Sequence, residues 1–135
     1  MIPTHAYIPG RTPRHPDGAF DVLRDTVRAG ADVLELARCD AMLFGLRYLE
    51  TGFYWEAHEV LEPVWMACPP NSAERSMAQA LIQIANARLK QEMARPNAAR
   101  RIAAIARTHL IEAERTGSVV LGLEVKRVAL WIDSL

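Results

Sequence analysis

The chain has 135 residues, the usual size of one domain. Hydrophobic residues make up 50% and charged residues 24%, which excludes wholesale disorder. Sixteen basic and sixteen acidic residues cancel, so no net field draws the chain to nucleic acid or to an anionic membrane surface, and its apolar runs fall far short of the roughly 18 residues needed to span a bilayer.

Pro3, Pro9, Pro13 and Pro16, with Gly10 and Gly18, predict an extended arm over residues 1–18. The arm carries His5, Arg11, Arg14 and His15 and is expected to lie across the domain surface. It has no basic segment followed by an apolar stretch, so no signal peptide is expected. Cys39 and Cys68 form neither a close pair nor a metal spacing. Both features fit a cytoplasmic protein with two reduced thiols.

From Asp17 onward the pattern becomes helical. Phe20, Leu23 and Val27 recur at three and four residues. Gly30 could stop that helix, and Asp32 with Glu35 reads as a capping box that starts another. Apolar positions continue to Leu49 before Gly52, with a break near Asp40 left open. A helix over 54–68 stops at Pro69-Pro70. Asn71 with Glu74 caps the next, over 72–94, and Asn97 caps one running to Thr116. A final helix over 123–134 buries Val128, Trp131 and Ile132. Val119-Val120-Leu121 is strand-like but too short to predict a strand. The expected fold is all-α: a single-domain bundle of about five or six packed helices over 19–135, behind the arm.

One stretch could carry chemistry, Phe53 to Trp65. On a helical wheel Tyr54, Ala57, Leu61, Val64 and Trp65 share a core-facing arc. His58 and Glu62 stack at the edge of that arc as an i,i+4 pair. Glu56 and Glu59 point away, toward solvent or a neighbouring helix. Pro63 sits inside the helix and cannot donate to the carbonyl of Glu59, which leaves that acceptor for a neighbour or a ligand. Gln79, Gln83, Asn86 and Lys90 share one stripe of the following helix. Three of the four are neutral amides, which suits a partly buried, hydrogen-bonded stripe facing His58 and Glu62.

Three readings of this constellation compete. In the first, His58 and Glu62 are metal ligands four residues apart and Glu59 is the base, as in the zinc-protease pattern with its second histidine replaced; His109 or His15 would have to supply a third ligand. In the second, Glu59 or Glu62 is an acid or base without metal. In the third, His58 and Glu62 are a buried polar pair tying helices together. His109 lies amid Ile102, Ile105, Ala106, Leu110 and Ala113 and reads as a core histidine. Trp55, Trp65 and Trp131 read as core and rim packing, and Arg95, Arg100, Arg101 and Arg107 as a solvated face.

The run Gly52 to Trp65, the segment Ala80-Leu81-Ile82-Gln83-Ile84-Ala85 and the turn Pro96-Asn97-Ala98-Ala99 together resemble the domain of unknown function family 309, over about residues 40–110. The resemblance implies a small fold of packed antiparallel helices. Some members of that family are labelled metal-dependent hydrolases on the His-Glu-x-x-Glu pattern. By position its motif residues here are His58, Glu59, Glu62, Trp65 and Gln83. Some relatives place a histidine near Leu89-Lys90, where this chain has none.

The expected function is that of a non-catalytic binding or interaction module built around a buried His/Glu/Gln site. Trp55, Trp65, Gln79, Gln83, Asn86 and Lys90 are its candidate binding residues. No cofactor is expected, nor a nucleic-acid or membrane partner; self-association is compatible with the sequence. The alternative is a hydrolase dependent on a divalent metal such as zinc, with His58 and Glu62 as ligands and Glu59 as catalytic base.

Overall fold

The structure, a computed structural model, describes residues 1–135. Seven helices follow the arm: α1 (Asp21–Arg24), α2 (Val33–Arg38), α3 (Asp40–Thr51), α4 (Tyr54–Ala67), α5 (Ala73–Glu92), α6 (Pro96–Glu114) and α7 (Val125–Asp133). Between α6 and α7 lies one two-residue hairpin, β1 (Val119–Val120) and β2 (Leu123–Glu124), paired antiparallel with Val120 opposite Leu123. Its turn, Leu121-Gly122, holds both residues at positive φ, 51° and 74°, the conformation that matches the twist of a tight hairpin. No helix is long and apolar enough to cross a membrane.

Local chemistry accounts for the boundaries. Asp32 caps α2, its carboxylate accepting from the Glu35 N–H. The chain is extended at Cys39, with ψ of 155°, so 32–51 is two helices. Gly52 closes α3 at φ 91°, a left-handed position. The cap of α5 is Ser72 rather than Asn71: the Ser72 hydroxyl accepts from the Arg75 N–H at 3.0 Å, while Asn71 sits at φ 58° in the turn. Helix α6 opens on Pro96, whose missing N–H is harmless in a first turn, so Asn97 lies inside the helix and does not cap it. The helix expected from Phe20 to Val27 is one turn only. The Thr26 hydroxyl bonds back to the Leu23 carbonyl and accepts the Ala41 N–H, competing with helical propagation.

The core is one cluster to which every helix contributes, with Leu36, Met42, Leu61, Met77, Leu81, Ile84 and Val128 fully buried. Helix α3 approaches α4 at Gly45, where an added Cβ would stand 2.6 Å from the Leu61 side chain. Helices α4 and α5 run antiparallel: His58 meets Asn86, and Trp65 meets Arg75. The longest helices, α5 and α6, make the most extensive pair, with Ala80 and Ala87 on one and Ala99, Ala106 and Ala113 on the other buried.

The arm is tied to the bundle. The Tyr48 hydroxyl donates to the Met1 carbonyl at 2.9 Å, and the Arg11 guanidinium donates to the Glu92 carbonyl at 2.6 Å. Pro3 is buried, and between those ends the arm descends onto α4.

Candidate functional site

The acceptor freed by Pro63 is taken by Arg24. From α1, its guanidinium donates to the Glu59 carbonyl through Nη1. The same Nη1 lies 3.7 Å from Glu59 Oε2, and Nη2 lies 3.4 Å from Glu62 Oε1. One cation therefore spans both glutamates of the His-Glu-x-x-Glu run and repairs the backbone defect between them. A hydrogen bond from a charged donor contributes about 1.5–3 kcal/mol, whereas each half-exposed charge pair adds about 0–1 kcal/mol.

His58 faces the amide stripe. Its Nδ1 donates to Asn86 Oδ1 at 2.9 Å, and the Asn86 amide donates to Gln83 Oε1 at 3.4 Å. His58 Nε2 stands 3.5 Å from Glu62 Oε2. The two sequence patterns thus meet across α4 and α5, with Asn86 rather than Gln83 touching the imidazole. The expected burial is corrected: the side chains of His58 and Glu62 are 34% and 38% exposed. Lys90 lies half-buried further along the stripe and bonds to none of these groups.

This donor set does not fit a metal centre. A zinc site needs three or four nitrogen, oxygen or sulfur ligands. His58 and Glu62 supply two, no group of three His, Cys, Asp or Glu side chains converges anywhere in the molecule, and a guanidinium already lies against Glu59 and Glu62. Of the two candidate third ligands, His15 is bound to Glu56 and His109 lines the cleft beside Trp65 and Gln79.

Glu56 is the residue that the helical wheel misplaced. Its side chain is 0% exposed, at the centre of the arm's contact with α4. Oε2 accepts from the Tyr7 N–H at 2.8 Å and bonds His15 Nε2 at 2.6 Å; Oε1 has no partner. His15 stacks on His5 at 4.5 Å and meets the Phe20 edge at 5.0 Å. Trp55 belongs to this aromatic group, 5.3 Å from Tyr7 and 5.8 Å from His15, rather than to the α4–α5 seam. Beside it a cavity of about 250 Å³ is lined by Arg14, His15, Arg24, Trp55 and Glu59. Only the presence of two histidines in the arm hinted at this anchor, and one sequence cannot say which acid they meet.

At its other end the seam widens into a cleft of about 530 Å³, bounded by Trp65, Arg75, Gln79 and Ser76 on one side and by His109 and Arg115 on the other. Trp65 is its only hydrophobic wall, and the Arg75 guanidinium lies over that ring at 4.6 Å. His109 is therefore not a core residue: it is half-buried and faces the cleft, while Ala106, Leu110 and Ala113 fill the interior.

Residues 42–102 match the model of a family described as Domain of unknown function (DUF309). Residues 42–102 are a DUF309 domain. No curated protein and no solved structure matches the chain. The DUF309 segment contains nearly all of α3, all of α4 and α5, and the first turns of α6, and with them His58, Glu59, Glu62, Gln83 and Asn86. Arg24, the arm and the His109–Arg115 wall of the cleft lie outside it. Burial pushes the Cys68 thiol up to about 12 and also raises Cys39, so both stay protonated near neutrality.

Proposed function

We propose that this DUF309 protein is a non-catalytic helical binding or interaction module whose half-buried seam between α4 and α5 faces its ligand. The Arg24 guanidinium carries the reading: it lies against Glu59 and Glu62 and occupies the Glu59 carbonyl. A general base must offer a lone pair within reach of a substrate proton, and a metal ligand must offer one to the ion. Here one part-exposed cation lies against one oxygen of each glutamate, which favours a structural over a catalytic use of the pair. The seam's amides and Trp65 supply instead a row of donors and acceptors on rigid helices, suited to recognition.

Thermal denaturation with zinc or manganese tests the non-catalytic half. The expected outcome is no saturable shift. A saturable stabilisation, about 2.7 kcal/mol at a hundredfold excess over Kd, that Glu62→Gln abolishes would overturn the reading in favour of a metal-dependent hydrolase. Amide chemical-shift mapping of ligands tests the other half: perturbations are expected along Trp65, Gln79, Gln83 and Asn86, and ligands that map only to other faces refute it.

A further inference from the structure

The cleft at the Trp65 end of the seam has a chemistry of its own. Two guanidiniums enter it from different walls, Arg75 from α5 and Arg115 from just beyond α6. Each is tethered to a backbone carbonyl of the α4–α5 turn, Arg75 to Cys68 at 3.2 Å and Arg115 to Asn71. Neither pairs with a carboxylate, and each retains further N–H donors out of five. Stacking on Trp65 holds Arg75 in place, so a ligand meets a preordered cation. Around them the Ser76 hydroxyl, the Gln79 amide and the His109 ring have no hydrogen-bond partner within the protein, against a single acid, Glu112.

From this arrangement we infer that the cleft binds a phosphate group, free or carried on a small polar molecule, with Arg75 and Arg115 as its cations and Ser76, Gln79 and His109 as further donors. A carboxylate is matched by one guanidinium fork in one plane. Donors that arrive from two walls suit a tetrahedral oxyanion, whose oxygens accept from several directions. The cleft's volume accommodates more than the phosphate itself, and its one aromatic wall is already covered by Arg75, so the body of the ligand is polar. The inference rests on the binding-module reading and gives it a ligand class.

The test is amide chemical-shift titration at fixed ionic strength with inorganic phosphate and with glycerol phosphate, on the full chain and on Arg115→Gln and Ser76→Asp. Saturable shifts are expected at residues 70–79 and 109–115, weakened at least tenfold by either variant. A tighter response to the ester identifies a phosphorylated molecule as ligand, and equal responses identify the free ion; both support the inference. Three results overturn it: no saturable shift in the unaltered chain, a variant that binds as tightly as the unaltered chain, or shifts centred on Arg95, Arg100 and Arg107. Arg115 is exposed, so its variant folds and the comparison stands whatever Ser76→Asp does to stability. Other ligands still mapping to Gln83 and Asn86 after such a failure would leave the binding-module reading intact.

Discussion

Replacing Glu56 by alanine probes the junction of arm and bundle. The carboxylate is fully enclosed, and its Oε2 holds the Tyr7 N–H at 2.8 Å and His15 Nε2 at 2.6 Å. Alanine leaves both groups without their partner in a buried setting, at about 1–3 kcal/mol each. Breaking a buried pair by removing one member costs about 3–5 kcal/mol in all, a large part of the roughly 5–15 kcal/mol that holds a domain of this size together. In melting temperature that is about 9–15 °C, at roughly 3 °C per kcal/mol. Glu56→Gln should cost much less, because its amide oxygen can still accept at the Oε2 position. Urea unfolding gives the energies, and hydrogen exchange at the Tyr7 amide reports the arm directly. The chain expected is one with an exchanging Tyr7 amide and an intact core. A loss below about 1 kcal/mol for Glu56→Ala, or a Tyr7 amide still protected, would refute the assignment of Glu56 as the arm's anchor.

His58→Ala should cost only about 1–1.5 kcal/mol, the sum of one hydrogen bond to Asn86 and a part-exposed pair with Glu62; a loss of 3–5 kcal/mol in urea unfolding would restore the buried-tie reading. Arg24→Ala should cost about 1–3 kcal/mol by stripping the donor from the Glu59 carbonyl, and about 1 kcal/mol less in a Pro63→Ala background that returns an N–H to that carbonyl; equal losses in the two backgrounds, measured as a double-mutant cycle, would disprove the repair. Stability should also fall in alkali. Burial raises Tyr48, with the Glu56 charge adding to the effect, and lifts Cys68 from 9.0 to about 12. Both groups keep their protons in the folded state after the unfolded chain has lost them, so their contribution is complete below about pH 9, and that of Cys68 is lost as pH rises toward about 12. Urea midpoints between pH 7 and 11 check this, and Cys68→Ala should flatten the fall; a midpoint independent of pH would contradict it.

The helical class, the stops at Gly52 and Pro69-Pro70, the cap at Asp32 and the orphaned Glu59 carbonyl were legible in the residues, because each follows from backbone chemistry within a few positions. The stacking of His58 on Glu62 and the grouping of the amides likewise follow from helical period alone. Tertiary structure decided which cation repaired that carbonyl, which glutamate was buried and which histidine faced a cleft. Arg24 stands 35 residues from Glu59, His15 stands 41 from Glu56, and Arg115 reaches Asn71 across 44. A helical wheel fixes the direction of a side chain relative to its own axis but not the neighbour that fills that direction. Burial and charge pairing depend on that neighbour, and for this chain the packing of the arm, α1 and α6 around the DUF309 segment supplied it.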